Sequence, residues 1–129
     1  MKQSTVTIAV IENDVSVCQA IARLLRATGF GAETFFSAET FLNSGGSERA
    51  ACLILDIHLG GMSGFDLQQH LATAGSRLPV ILVTADESLT TRARAEKSGC
   101  SAFLQKPLDA QNLIPALQRA MNLGESSAE

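Results

Sequence analysis

Cys52-Leu53-Ile54-Leu55-Asp56 is the stretch that decides which fold the sequence predicts. Its four consecutive apolar residues, followed directly by a carboxylate, are typical of a strand buried on both faces of a parallel sheet. A helical pattern then runs from Gly64 to Ala74, where Leu67 and Leu71 lie one turn apart, and ends at Gly75. A buried strand that leads into a helix predicts a βαβ unit, which needs a parallel strand beside the first.

The same alternation runs through the rest of the chain. Apolar segments at Val6–Ile11 and Pro79–Val83 predict two more buried strands, while Gly31–Phe36 and Ser101–Leu104 predict weaker ones. Further helices are predicted after the capping residues Asp14, Ser37 and Asp109 and over Ser88–Ser98. Five strand–helix repeats predict an α/β fold, a doubly wound five-stranded parallel sheet with helices on both faces.

The apolar positions predict the buried face of each helix. These positions are Val15, Cys18, Ala22 and Leu25 in the first helix, and Leu89, Ala93 and Ala95 in Ser88–Ser98. The segment 44–47, Ser-Gly-Gly-Ser, is predicted to close the second helix. Pro115 leaves two possibilities open for the last helix. It lies inside the helix at a cost of about 3 kcal/mol, or the helix begins near Ile114 with Pro115 in its first position.

The composition fits one globular domain. The chain has 129 residues, of which 46% are hydrophobic, so it is long enough to bury a core. We predict a domain over residues 1–123 and a polar tail or linker stub over 124–129. The net charge of -3 lacks the excess of positive charge that is typical of direct nucleic-acid binding. No apolar run approaches the roughly 20 residues of a membrane helix, and no secretory signal precedes the first strand, so we predict no membrane contact and a cytoplasmic location.

Cysteine usage agrees with that location. Cys18, Cys52 and Cys100 form no CxxC or CxxH pair and are too widely spaced for a disulfide framework or a zinc site. We expect all three to be small buried residues in a reducing compartment.

Polar residues follow four of the predicted strands. They are Glu12-Asn13-Asp14, Asp56, Thr84 and Gln105-Lys106-Pro107. Taken singly, each of these residues is also typical of an ordinary loop or helix cap. The carboxyl ends of parallel strands, however, meet at one edge, where such sheets bind ligands. Carboxylates suit Mg²⁺, an Asp can become an aspartyl phosphate, and a hydroxyl and an ammonium can hold phosphoryl oxygens. The set therefore predicts phosphoryl chemistry.

Three motifs at these strand ends carry a resemblance to a known family. Asp56 with Met62 and Gly64, then Thr84-Ala85, then Lys106-Pro107, resemble the receiver (CheY-like) domain of two-component response regulators, over about Val6 to Met121. The stretch 35–42, Phe-Phe-Ser-Ala-Glu-Thr-Phe-Leu, is similar to the branch linked to LuxR-type transcription factors. The resemblance implies the flavodoxin-like strand order 2-1-3-4-5.

The resemblance also implies a role for each site residue. Asp56 is the phosphoacceptor for a sensor histidine kinase, and Phe103 is the switch aromatic. Thr84, the backbone N–H of Ala85 and Lys106 hold the phosphoryl group, and the Lys106–Pro107 bond is cis. Mg²⁺ is bound by Glu12, Asn13, Asp56 and the backbone carbonyl of His58. On phosphorylation Thr84 moves, Phe103 fills the space, and the face of the fourth predicted helix and fifth strand changes for a partner to read.

Three departures from the family pattern affect the site. Asn13 stands where the family usually has an acidic residue, so Mg²⁺ binding should be weak. Gly60 replaces the usual proline after the phosphoacceptor, so that loop should be less rigid. His58 is bulky at a position that controls the access of water to the phosphoryl group. Together with Asp86 it is expected to tune the lifetime of the phosphorylated state. Its side chain is expected to face solvent.

Other functions remain open from the sequence. The alternative is a pseudo-receiver, a protein-interaction module of the same fold with weakened metal binding and no obligatory phosphorylation. An ordinary enzyme, such as a phosphohydrolase, usually needs a second acid where His58 stands, so at most self-dephosphorylation is expected. Flavin binding is disfavoured because no phosphate-binding loop follows the first strand. A DNA-binding output domain in a longer chain and a homodimer through the fourth predicted helix and fifth strand are the partners that the resemblance implies.

Overall fold

Five parallel strands form one sheet in the order β2-β1-β3-β4-β5. The computed structural model describes residues 6–122, so the predicted tail, 124–129, and the ends of the predicted domain, 1–5 and 123, lie outside them. The strands are β1 (Thr7–Ile11), β2 (Gly31–Phe35), β3 (Cys52–Asp56), β4 (Val80–Thr84) and β5 (Ala102–Gln105). Every residue of β3 and β4 is buried, whereas β2 and β5 form the less buried edges. The predicted fold and strand order are confirmed.

The helices pack on both faces of this sheet. They are α1 (Val15–Ala27), α2 (Ala38–Ser44), α3 (Gly46–Arg49), α4 (Gly64–Thr73), α5 (Leu89–Lys97) and α6 (Ala110–Met121). The sheet has one hydrophobic core on each face. Alternate residues of β1 pack into different cores, because successive side chains of a strand point to opposite faces. Ile8 and Val10 pack with α1 and α6, while Ala9 and Ile11 pack with α2, α4 and α5.

The predicted caps begin three of the helices. Asp14, Ser37 and Asp109 each accept a hydrogen bond from a backbone N–H in the first turn, which satisfies one of the unpaired donors of a helix start. Ser63, whose capping role the sequence reading missed, forms a capping box with Asp66 at the start of α4.

Two predictions about helix limits are decided. The segment 44–47 closes the second helix as predicted, because α2 ends at Ser44 and Gly45 turns the chain in a left-handed conformation, with φ at 75°. The short helix α3, which was not predicted, begins directly afterwards at Gly46. Pro115 lies inside α6, so a start near Ile114 is wrong. Leu113, Ala116 and Leu117 are fully buried around Pro115, and this packing offsets the cost of an interior proline.

Several side chains predicted to be buried are exposed. Leu89 is 81% exposed and Ala93 is exposed, which leaves Ala95 as the buried residue of α5. Val15 is 49% exposed because it lies in the first turn of α1, at the rim of the sheet, while Ile21 joins the buried stripe further along. Cys18 and Cys52 are buried as predicted, whereas Cys100 is only half-buried. Among residues 6–122, no helix has the length and apolar character needed to cross a bilayer.

Gly64 fixes the start of α4 against the end of β3. A Cβ atom at this position would lie 2.4 Å from the backbone oxygen of Asp56 and 2.8 Å from the Cα of Ile57. The Gly64 N–H also donates to the Ile57 carbonyl at 2.9 Å. Glycine is required here for close backbone approach, and this contact holds the backbone that carries Asp56.

We expect Gly64→Ala to lower the free energy of unfolding by about 1–3 kcal/mol, because overpacking against backbone cannot be relieved by a side-chain rotation. Urea unfolding measures this. Gly60→Ala is the matched control: no atom lies within 4 Å of a Cβ built there, so its effect should stay within about 0.5 kcal/mol. Equal losses in both variants would show that the steric account of Gly64 is wrong.

Candidate functional site

Two carboxylates and one ammonium converge at the carboxyl edge of the sheet. Glu12 directly follows β1, Asp56 is the last residue of β3, and Lys106 directly follows β5. Lys106 Nζ lies 2.5 Å from Glu12 Oε1 and 3.2 Å from Asp56 Oδ2. The side chains of Glu12, Asp56 and Lys106 are only 2%, 6% and 17% exposed. The edge predicted from the sequence therefore brings these residues together.

The charges of this cluster depend on one another. Burial raises the pKa of Glu12, and the neighbouring Asp56 charge adds to that effect, while the Lys106 ammonium and the Asp14 N–H oppose it. Burial by itself lowers the pKa of Lys106, but contact with Glu12 and Asp56 outweighs burial, so the pKa lies above its ordinary value. Lys106 therefore stays an ammonium between the two acids.

Thr84 and Ala85 lie on the neighbouring strand end. Asp56 pairs with Val83 in the sheet register, so Thr84 is one residue beyond that pair. Thr84 is fully buried, and its Oγ1 accepts a hydrogen bond from the Asp86 N–H at 3.0 Å. Ala85 is exposed. The Lys106 N–H donates to the Thr84 carbonyl at 2.8 Å, and the Lys106–Pro107 bond is cis as predicted.

His58 contacts the opposite loop. Its N–H donates to Asp56 Oδ1 at 3.2 Å, and its ring Nε2 lies 3.2 Å from Asp86 Oδ2. The side chain is 59% exposed, as predicted, but it has a partner that the sequence reading did not give it. The pKa of Asp86 is lowered to about 2, chiefly by the Ser88 N–H and the Thr91 hydroxyl. The loops after β3 and β4 therefore meet beside Asp56.

Asn13 and Phe103 are the remaining predicted site residues. Asn13 is exposed at the rim, directly after Glu12. Phe103 lies two residues before the end of β5 and is half-buried on the side of α5, where the Arg92 guanidinium is 5.8 Å from its ring centre. Phe103 is thus placed between β5 and α5.

Glu39 is a residue of the site region that the sequence reading missed. From α2, its Oε2 accepts the Met62 N–H at 3.0 Å, and this bond lowers the pKa of Glu39. The contact ties the loop after Asp56 to α2. No spacing rule could have found it, because the two residues lie on separate elements and meet only in the folded chain.

The residues present fit a hard cation, with fewer charges than expected. Glu12 Oε1 is buried and, although it forms an ion pair with Lys106, no donor meets it in hydrogen-bond geometry. Together with Asp56 it offers the carboxylate oxygens that Mg²⁺ prefers. Over residues 6–122, however, no group of three His, Cys, Asp or Glu side chains is assembled that could hold a metal. Asn13, which directly follows Glu12, carries an amide and adds no negative charge.

Comparisons with known proteins identify the family of this chain. Residues 8–118 match the family model of the response regulator receiver domain. The chain is 32% identical over 129 residues to the response regulator protein TmoT of Ectopseudomonas mendocina, covering 100% of this chain and 59% of TmoT. It is 34% identical over 123 residues to the transcriptional regulatory protein TdiR of Thauera aromatica, covering 95% of this chain and 54% of TdiR.

The solved structure of the response regulator StyR is similar as well. It has a TM-score of 0.83 and 37% identity, covering 93% of this chain and 61% of StyR. The chain belongs to the response regulator receiver domain family, a signalling domain of two-component systems. It spans about half the length of the curated relatives it matches.

We expect Lys106→Met to lower the free energy of unfolding at pH 7 by about 3 kcal/mol, because it leaves buried carboxylates without their cation. Since burial raises the pKa of Glu12 above 4.5, the folded variant binds a proton more tightly than the unfolded chain. Its stability should therefore rise as the pH falls through that raised pKa.

Urea unfolding between pH 7 and pH 4 measures both effects, with Lys97→Met as the matched control because Lys97 is exposed on α5. A loss that is equal in the two variants, or one that does not shrink at low pH, would contradict the charge account.

Proposed function

We propose that this domain accepts a phosphoryl group on Asp56 from a sensor histidine kinase. The observation that carries the proposal is the Asp56 carboxylate, buried at the sheet edge beside the Lys106 ammonium. An Asp56 oxygen attacks the phosphorus of the kinase phosphohistidine; the new P–O bond forms as the P–N bond breaks, and the imidazole nitrogen takes up a proton. Lys106, Thr84 and the Ala85 N–H hold the phosphoryl oxygens as charge develops.

Mg²⁺ is the proposed cofactor, bound weakly. Glu12, Asp56, Asn13 and the His58 carbonyl are the groups that would hold it, and bound Mg²⁺ supplies neutralising charge for phosphoryl transfer. Replacement of a carboxylate by Asn13 removes one negative charge from this set, and ligand charge is a main determinant of affinity.

The domain acts as a switch in this proposal and not as an ordinary enzyme, apart from self-dephosphorylation. Phosphorylation draws Thr84 toward Asp56, and Phe103 moves into the space left beside β4. The surface formed by α5 and β5 then changes shape. α5 is the fourth helix of the predicted strand–helix alternation. The support is that α5 buries one residue, Ala95, so few apolar contacts resist its movement.

The output is proposed from the relatives. TdiR is named a transcriptional regulatory protein, and the match covers 54% of it. Together with the resemblance of residues 35–42 to the LuxR-linked branch, this supports a receiver domain over 1–123, followed by a tail or linker stub over 124–129, in a longer chain with a DNA-binding domain of the LuxR type. We propose a homodimer through α5 and β5, and no direct nucleic-acid or membrane contact by this domain. Buried free Cys18 and Cys52 support a cytoplasmic location. The pseudo-receiver alternative is less well supported, because Asp56, Thr84 and Lys106 are all present at one edge.

With acetyl phosphate and Mg²⁺, we expect the chain to gain one phosphoryl group in intact-mass measurement, and Asp56→Asn to gain none. Asp14→Asn is the matched control, since Asp14 is an exposed helix cap near the site and Asn caps a helix as well as Asp does. It should be phosphorylated like the original chain. Equal labelling of Asp56→Asn would remove Asp56 from its proposed role.

We expect Asn13→Asp to tighten Mg²⁺ binding by at least about tenfold and to speed phosphorylation. One unit charge 4 Å away near a protein surface contributes a few kcal/mol, and about 1.4 kcal/mol is tenfold in affinity. Calorimetric Mg²⁺ titration and the rate of mass gain measure these effects. Asn43→Asp, at an exposed position of α2, adds the same charge away from the site and should change neither. Unchanged Mg²⁺ affinity in Asn13→Asp would refute this explanation of weak binding.

A further inference from the structure

Asp86 connects the phosphoacceptor edge to the start of α5. Its N–H donates to Thr84 Oγ1 at 3.0 Å. On the other side, its carboxylate accepts the Ser88 N–H at 2.8 Å and the Thr91 hydroxyl at 2.7 Å. Its carbonyl accepts Gln105 Nε2 from β5 at 3.1 Å. One residue therefore binds the buried hydroxyl of β4, the first turn of α5 and the end of β5.

The N-terminal half of α5 buries no apolar side chain, and its Arg92 guanidinium lies 5.8 Å from the centre of the Phe103 ring. Leu89 is 81% exposed, and Ala95 in the second half is the buried residue of the helix. The far end is fixed separately, because Gln68 Nε2 donates to the Ser98 carbonyl at 3.2 Å and to Ser98 Oγ at 3.0 Å. Between the two ends, the Arg94 guanidinium lies 4.2 Å from the centre of the Phe65 ring. Polar contacts therefore hold α5 at both ends, and the Asp86 contacts are those at the end near Thr84.

We propose that Asp86 is the positioning residue that couples the Thr84 hydroxyl to α5 through the chain of contacts Thr84–Asp86–Thr91. Thr84 is fully buried on β4, so its hydroxyl can leave the Asp86 N–H only by a discrete change of rotamer. When the hydroxyl turns away, the Asp86 backbone loses this anchor and keeps the Gln105 bond at its carbonyl. The first turn of α5, bound to the Asp86 carboxylate, is loosened with it. The use of this link in signalling rests on the proposed phosphorylation of Asp56; the link itself does not.

The link is tested first without any phosphoryl group, by NMR hydrogen exchange of the α5 amides from Arg92 to Lys97. Thr84→Val removes the acceptor of the Asp86 N–H with almost no change in volume, and Thr91→Val removes the hydroxyl donor. We expect each variant to exchange about threefold faster or more in α5, while the β4 amides remain protected. In Thr84→Val/Thr91→Val the increase should be smaller than the product of the two single effects, because both substitutions break one chain of contacts.

Thr90→Val is the matched control, since Thr90 is exposed in the same turn of α5, and its exchange should equal that of the original chain. Unchanged α5 exchange in Thr84→Val, or independent effects that multiply in the double variant, would overturn the coupling.

A second measurement separates this proposal from the proposed function. With acetyl phosphate, Thr91→Val should gain a phosphoryl group in intact mass but lose most of the α5 amide shift changes seen in the original chain. Shift changes as large as in the original chain would overturn the role of Asp86. No mass gain in the original chain would refute the phosphoacceptor role of Asp56, and the exchange experiment would still decide whether Thr84 and α5 are coupled.

Discussion

Two carboxylates are buried at one edge of the sheet, and the Lys106 ammonium beside them makes this arrangement possible. Charges removed from water are costly unless they are paired, and here Glu12 and Asp56 share a single cation at 2.5 and 3.2 Å. This pairing requires β1, β3 and β5 to end at the same edge, which a parallel sheet provides. The same pairing holds Asp56 in place at this edge, with its side chain 6% exposed.

The surroundings of Asp56 are fixed by contacts between separate elements. Gly64 packs on its backbone, the His58 N–H reaches its carboxylate, and Glu39 holds the following loop from α2. α5 is different, because its first turn is held by polar contacts to Asp86 and buries almost no apolar surface. The domain thus combines a firmly held Asp56 with a weakly held helix beside it, and this combination suits a switch.

Most of the fold could be predicted from the sequence, because continuous apolar runs such as Leu53–Leu55 identify strands buried on both faces, and capping residues such as Asp109 mark helix starts. Glu12, Asp56, Thr84 and Lys106 could be placed at one edge because strand ends in a parallel sheet are neighbours. The exposure of Leu89 could not be predicted, since an apolar residue on a helix gives no sign that no surface lies above it. The contacts His58–Asp86 and Glu39–Met62 were also missed as pairs, because each joins segments that are distant in sequence.

Reductive trapping tests the central claim most directly, because borohydride reduces an acyl phosphate to an alcohol and so converts a phosphorylated aspartate to homoserine. The chain would be treated with acetyl phosphate and Mg²⁺, reduced, digested and mapped by mass spectrometry. Our account predicts homoserine at position 56 alone, and none when the phosphodonor is omitted. Conversion at another aspartate, or a phosphoryl group that survives reduction on a serine, threonine or histidine while residue 56 stays aspartate, would contradict it.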